Sequence, residues 1–281
     1  MSYFKIRSYA KINLALNIVG KKGSLHKIES IVSFLNLHDE ILIKIIKSKN
    51  HKIKFIGKFA NKIKSNNTIF KLFEIIDKKK FLRKVKFKII IKKRIPSKAG
   101  LGGGSMNAAS ILKFLIKKKF IKVSKREVNI ITDLIGSDVI LGMYSNNLIL
   151  KSNKTLKNFN FKTNIHALVV KPNFGCSTKK IYSEVKHFKK ARFNKPRKKM
   201  FNFNFLKKTN NDLEAIVLKK YPRLNSLKNF LEKLIKVELV RMTGSGSSII
   251  AYFKSEKMCK EAEKKVKKQF RNYWCKSAKT I

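Results

Sequence analysis

The sequence predicts an α+β fold in two domains, residues 1–158 and 159–281. Three observations carry that expectation. Residues 9–19 alternate apolar and polar side chains as a strand does. Residues 98–110, "KAGLGGGSMNAAS", set four glycines between a predicted strand and a predicted helix. The last third mixes strands and helices with no regular βαβ rhythm, which argues against a doubly wound sheet. With 281 residues, of which 43% are hydrophobic, the chain is long enough to bury a core in each half.

In order along the chain, "YAKINLALNIV" places Ala10, Ile12, Leu14, Leu16 and Ile18 on one strand face and Lys11, Asn13, Ala15 and Asn17 on the other. "SIVSFLNLHDEILIKII", residues 30–46, reads as two strands with a turn at His38-Asp39. "HKIKFIG" adds a short alternating piece, and residues 66–81 have helical spacing with Asn67 as N-cap. "KVKFKIIIKKRIP" is a strand running into Pro96. Beyond the glycines, Ala108, Ile111, Leu112 and Leu115 form an apolar stripe at helical spacing. Ser124 and Glu127 make a capping box for a helix over "SKREVNIITDLIG". "NIHALVVKP" opens the second half as a strand. Residues 186–208 are basic and poor in pattern, and read as a loop or mobile connection. A helix over 224–236, strands over 237–242 and 248–253, a helix over 256–270 and a last strand complete the chain.

Charge is extreme: 67 Lys and Arg against 16 Asp and Glu, a formal +51. That value points toward nucleic acid or an anionic membrane surface. The lysines are spread along the chain, however, and accompany an excess of Ile, Asn and Phe. Compositional bias of an A+T-rich genome is therefore the preferred reading, with nucleic acid the lesser one. The field would also steer an anionic small substrate. Cys176, Cys259 and Cys275 have no metal-ligand spacing and suit a reduced, cytoplasmic protein. No apolar run approaches the ~18 residues of a membrane span, and the N-terminus reads as a strand, not a signal peptide.

Glycines between strand and helix let the backbone approach a ligand closely, and the free N–H groups of the helix start make an anion site. Diphosphate or triphosphate is the natural guest. The loop is not of Walker type, since no Gly-Lys-Ser/Thr follows, and it lacks the Gly-x-Gly-x-x-Gly spacing of a dinucleotide fingerprint. Lys11, by pattern alone, is a solvated polar-face lysine. Asp138 stands in "LIGSDVILG" among apolar residues, either satisfied by a helix end or paired with a cation at a site. "RMTGSGSS", residues 241–248, is a second Gly/Ser loop, a hairpin turn on its own and a ligand loop when read with the first.

Taken together, "AKINLALNIVGKKGSLH", "IPSKAGLGGGSMNAA", "IGSDV" and "RMTGSGSS" resemble, in order, the signatures of the GHMP kinases over nearly the whole chain. The resemblance implies an ATP-binding N-terminal domain like the second domain of ribosomal protein S5 and a ferredoxin-like C-terminal domain on the substrate side. It implies transfer of the ATP γ-phosphoryl to the 2-hydroxyl of a cytidine-diphosphate-linked polyol, with Mg²⁺ accompanying ATP. Another small-molecule kinase of the superfamily is the alternative. By motif match, Lys11 and Asp138 are the catalytic pair: Asp138 accepts the hydroxyl proton, and Lys11 orients the hydroxyl and keeps Asp138 ionised. Pro96, Ala99, Gly100, Leu101, Gly102, Gly103, Gly104, Ser105 and Asn107 match the ATP side. Asn13, His26, Asp138, Tyr182, Thr243, Gly244 and Ser245 match the substrate side, His26 near the cytosine and Tyr182 stacking on it. No metal ligands are readable beyond Ser105 as a suggestion. The implied protein is cytoplasmic, a monomer or weak dimer, and independent of membranes. Three departures stand out: Leu25 where a tyrosine is usual, "DVI" for "DVP" after Asp138, and lysines before Tyr182 where a proline is common.

Overall fold

Two long strands open the chain, β1 (Phe4–Lys22) and β2 (Leu25–Ile46), and they pair with each other. In the computed structural model, which describes residues 2–23, 25–61, 63, 66–82, 85–144 and 146–281, each of these strands contributes residues to both of two compact units. One unit comprises Met1–Ala10, Leu37–Ser97 and Gly102–Ser145; the other comprises Lys11–Asn36, Lys98–Leu101 and Asn146–Ile281. The units are thus interleaved in sequence, whereas the expected division at 158/159 is linear. Ser24, within the "GSLH" stretch, and Lys84, at the head of the "KVKFKIIIKKRIP" strand, lie outside the described residues.

The turn expected at His38-Asp39 does not form, and β2 passes straight through it. Asp39 is fully buried, and its carboxylate accepts from the Lys93 ammonium, the backbone N–H groups of Arg94 and Ile95, and Asn107 Nδ2. A side chain occupied by distant donors no longer competes for its own backbone, so the local turn preference is overridden.

In the first unit, Glu40–Ile46 of β2 pairs antiparallel with β4 (Lys86–Lys92), which pairs in parallel with β3 (Lys52–Ile56). Between them in sequence lies α1 (Thr68–Lys78), capped by Asn67 Oδ1 on the N–H groups of Ile69 and Phe70. The helices α2 (Gly103–Lys117), α3 (Lys125–Ile135) and the short α4 (Val139–Gly142) follow. Alternation on the strands and the 3.6-residue stripe on the helices converge on one core containing Ile41, Ile43, Ile89, Ile91, Leu72, Ile111, Leu112 and Leu115. The capping box at Ser124 and Glu127 is present as expected.

In the second unit, β5 (Asn147–Leu150) pairs with Ser30–Val32 of β2, and β6 (Leu156–Phe159) with β5. Beyond them, β7 (His166–Lys171), α5 (Thr178–Tyr182), α6 (Phe203–Leu206), α7 (Glu214–Lys220), α8 (Pro222–Glu232), β8 (Leu239–Met242), β9 (Ile249–Phe253), α9 (Glu256–Gln269) and β10 (Trp274–Lys279) follow in turn. The strands form an antiparallel sheet in the order β10-β7-β9-β8. Counted from β7 that order is 4-1-3-2, with helices between the first and second and between the third and fourth strands. This is the split-βαβ, ferredoxin-like arrangement. The helix expected over 224–236 begins two residues earlier, at Pro222, whose fixed φ suits the first helical position. Residues 186–208 are more ordered than expected: they hold a 3₁₀ turn at Lys198–Phe201 and α6, and bury Phe193, Met200, Phe201 and Leu206. Their aromatic residues act as core anchors, a role that the surrounding lysines conceal in the sequence. Cys176, Cys259 and Cys275 are buried free thiols, and burial pushes Cys176 up to about 11 and Cys275 up to about 12.

Candidate active site

In the first unit, α2 starts on Gly102, whose φ of 67° is left-handed and whose lack of a side chain leaves the helix start uncapped. Unlike α1 and α3, whose first N–H groups are taken by Asn67 and Ser124, α2 has no side-chain cap on the donors of its first turn. That is the electrostatic requirement for a bound phosphate. A Cβ added to Gly103 would stand 3.4 Å from Lys93 Nζ and 3.2 Å from Ile95 Cγ2. The floor beneath the glycines is therefore Lys93 and Ile95, both held by Asp39. The Thr68 hydroxyl donates to the Gly104 carbonyl at 2.8 Å, tying α1 to the same turn. Ser105 is half-buried and Pro96 buried.

Asn107 is 1% exposed. Its Nδ2 donates to Asp39 Oδ2 at 3.1 Å, which fixes the amide orientation because a carboxylate only accepts. Its Oδ1 is buried with no hydrogen-bond partner among the described residues. Asp138 is half-buried at the residue before α4 and makes no side-chain cap bond to that helix. Asp133 is exposed.

In the second unit, Lys11 is 3% exposed, against the solvated lysine that its pattern suggests. Both faces of β1 are covered from Ala10 to Asn17, so the polar face is an interior one. Lys11 Nζ donates to Asn13 Oδ1 at 2.7 Å, Asn13 Nδ2 to the Ser30 hydroxyl at 2.8 Å, and Ser30 to the Ala15 carbonyl at 2.6 Å. The chain of donors fixes the asparagine, and the asparagine fixes the ammonium.

The two glycine loops meet in this unit. Lys11 N–H donates to the Leu101 carbonyl at 3.1 Å, Asn13 N–H to the Thr243 hydroxyl at 3.0 Å, and that hydroxyl to the Gly100 carbonyl at 3.2 Å. Gly100 has φ +72°, and a Cβ there would lie 2.0 Å from the Thr243 carbonyl oxygen. Only glycine permits so close an approach. Ala99 is buried beside it. Asn211 Nδ2 donates to the carbonyls of Met242 and Gly244 at 2.9 and 2.8 Å and pins the late loop. The Ser245 hydroxyl bonds Thr178 Oγ1 at 2.8 Å, linking that loop to α5 and so to Tyr182. The rings of His26 and Tyr182 lie 5.2 Å apart. Burial, and then the nearby Lys21 charge, hold the His26 imidazole below its ordinary value. Leu25 is 65% exposed.

Sequence reasoning named the loops, Lys11, Asn13, His26 and Tyr182, and missed Asp39, Lys93, Ser30, Thr178 and Asn211, whose hydrogen bonds hold the loops and Asn13. Asp39 had a signal, being one of 16 acids in a chain of 281. Ser30, Thr178 and Asn211 had none, since their roles arise from contacts far apart in the sequence.

A glycine loop running into an uncapped helix start in one unit, and a buried lysine beside a second glycine loop in the other, are groups that suit phosphoryl transfer, which asks mainly for positioning and charge neutralisation. The models of the GHMP kinases N terminal domain and of the GHMP kinases C terminal match residues 67–146 and 185–272, and the chain belongs to this kinase family. It is 54% identical, over the full length of both chains, to the 4-diphosphocytidyl-2-C-methyl-D-erythritol kinase of Pelagibacter ubique. It is 33% identical to the enzyme of that name from Wigglesworthia glossinidia brevipalpis, over 90% of this chain and 82% of the other. Among solved structures it resembles a 4-(cytidine 5'-diphospho)-2C-methyl-D-erythritol kinase with a TM-score of 0.77 at 20% identity, covering 98% of this chain and 99% of that one. It also resembles the homoserine kinase of Cytophaga hutchinsonii with a TM-score of 0.72 at 13% identity, covering 100% of this chain and 95% of that one. At such identities the structural likeness speaks to the fold, which is the two-domain GHMP kinase fold.

Proposed function

We propose that the chain transfers the γ-phosphoryl of ATP to the 2-hydroxyl of 4-diphosphocytidyl-2-C-methyl-D-erythritol, in non-mevalonate isoprenoid precursor biosynthesis. Full-length similarity at 54% identity to a protein of that name carries the choice of acceptor. The ring pair of His26 and Tyr182 supports it, because a planar base needs an aromatic neighbour.

Asp138 takes the proton of the acceptor hydroxyl as it attacks. Lys11, held by Asn13, orients that hydroxyl. The N–H groups of Gly103, Gly104 and Ser105 receive ATP phosphate oxygens, with Asn107 and Pro96 behind them and Ala99, Gly100, Leu101 and Gly102 shaping the loop. Thr243, Gly244 and Ser245 close over the acceptor. Phosphoryl transfer asks the protein mainly for position and charge neutralisation, and these groups supply both. Mg²⁺ enters as part of the nucleotide substrate. Its hard-cation preference is for phosphate oxygens and water, and a hydroxyl such as that of Ser105 would be a further oxygen. In this reading residues 1–158 form the ATP-binding half and 159–281 the substrate-side half of a cytoplasmic monomer or weak dimer.

ATP consumption by the purified protein tests the proposal. Turnover is expected with the diphosphocytidyl acceptor; its absence there alongside turnover of mevalonate or homoserine would move the chain to another branch of the family. Asp138→Asn should lower kcat by about 10²- to 10⁴-fold, the usual contribution of a general base, and leave ATP affinity nearly unchanged. Wild-type kcat in that variant removes Asp138 from the role.

A further inference from the structure

The segment following α5 is irregular, yet it is fastened to the first strands of the second unit. Lys189 N–H donates to the Ile18 carbonyl at 2.9 Å, and its ammonium meets Asp212 Oδ1 at 2.6 Å. Asp212 in turn accepts from Ile18 N–H at 2.8 Å. Glu29, fully buried in β2, accepts from the N–H groups of Arg192 and Phe193 at 2.7 and 2.9 Å and from Asn17 Nδ2 at 2.8 Å. A carboxylate withdrawn from water is stable only when donors fill its oxygens, and here the backbone of the segment fills them. The Phe193 ring is itself fully buried. Residues 189–193 are therefore a strap, held at both ends.

Phe188 stands immediately before this strap and is 47% exposed. Its ring lies 6.2 Å from His26, which also has Tyr182 at 5.2 Å. Core packing does not account for a half-exposed phenyl ring on a fastened backbone. Leu25, beside His26, carries no ring. Three aromatic side chains from β2, α5 and the strap instead gather at one place, which is what a flat heteroaromatic ligand requires.

We propose that Phe188 is a specificity-determining residue for the nucleoside end of the acceptor, forming with His26 and Tyr182 the surface on which a pyrimidine base stacks. The inference rests on the acceptor reading above, and it adds a residue that none of the sequence motifs contains. Phe188 supplies the ring face that Leu25 does not.

Two measurements on the full chain test it, calorimetric titration with CMP and steady-state kinetics with the acceptor. Phe188→Ala should weaken CMP binding and raise KM for the acceptor, each about tenfold, while kcat and KM for ATP stay put. Phe188→Leu, which keeps the apolar volume and removes the ring, should behave like the alanine variant. Phe188→Tyr should remain within about twofold of wild type. CMP binding at wild-type strength in the alanine or leucine variant overturns the proposal, as does a wild-type protein that does not bind CMP. A wild-type protein that binds CMP but does not phosphorylate the acceptor overturns the acceptor reading instead, and the CMP titration of the variants still decides Phe188.

Discussion

Asp39 concentrates more of the first unit's organisation than any motif residue does. Its two oxygens receive the Lys93 ammonium, two backbone N–H groups and the Asn107 amide, with no exposure to solvent. Asp39→Ala would leave the Lys93 charge buried without its partner. That loss should cost about 3–5 kcal/mol of stability, read by urea unfolding. Asp39→Asn keeps the shape and one acceptor but turns an NH₂ toward donors, so a smaller loss is expected. Because Lys93 lies under Gly103, the asparagine variant should also raise KM for ATP more than KM for the acceptor. Equal changes in both would make Asp39 a folding residue only. In the sequence, His38-Asp39 reads as a turn, because the short-range preference of aspartate is visible and its partners, 54 to 68 residues away, are not. Lys11 was hidden for a related reason. Alternation identifies two faces of a strand but does not say that both are covered.

At the scale of elements, the contact between the two glycine loops is the feature most open to mutation. Gly100 and Gly23 share left-handed backbone, with φ +72° and +57°. They differ in space: a Cβ at Gly23 meets nothing within 4 Å, while one at Gly100 lies 2.0 Å from the Thr243 carbonyl oxygen. Gly23→Ala should therefore cost only the left-handed penalty of about 1–2 kcal/mol. Gly100→Ala should cost that and the displacement of the late loop, and should lower kcat/KM for the acceptor by about 10- to 100-fold, a misplacement of about 1 Å reaching the upper figure. Matching losses in the two variants, in thermal unfolding and in kinetics, would show that the loops do not depend on each other. Elements of this kind were partly legible beforehand. The caps at Asn67 and Ser124, the stripe of α2 and the strands after residue 237 follow from local chemistry and stand where expected. The loop-to-loop bond across 143 residues and the strap on Glu29 do not, since each depends on a partner that pattern cannot supply.

For the whole molecule, two properties escape local reading, the interleaving of the units and the consequence of charge. Interleaving follows from the length of β1 and β2, 19 and 22 residues, which lets one pair of strands contribute to both units. A formal +51 has two opposed effects. It draws in anionic ligands: ATP and a nucleotide-diphosphate acceptor both arrive down a positive field. It also sets like charges against one another. Lys44, Lys88 and Lys52 are direct cross-strand partners on β2, β4 and β3, a row in which each neighbour repels the next. Salt screens both effects, with opposite results. Raising ionic strength from about 0.02 to about 0.5 M shortens the Debye length from roughly 20 Å to under 5 Å. Over that range kcat/KM for the acceptor should fall by about tenfold with kcat unchanged, because encounter slows and chemistry does not. Over the same range the melting temperature should rise as repulsion is screened. A rate constant insensitive to salt would mean that the lysines are spread too evenly to focus a field. A melting temperature that falls with salt would mean that the ion pairs of the surface, such as Lys5 with Glu40 at 2.8 Å, outweigh the repulsion among the unmatched lysines.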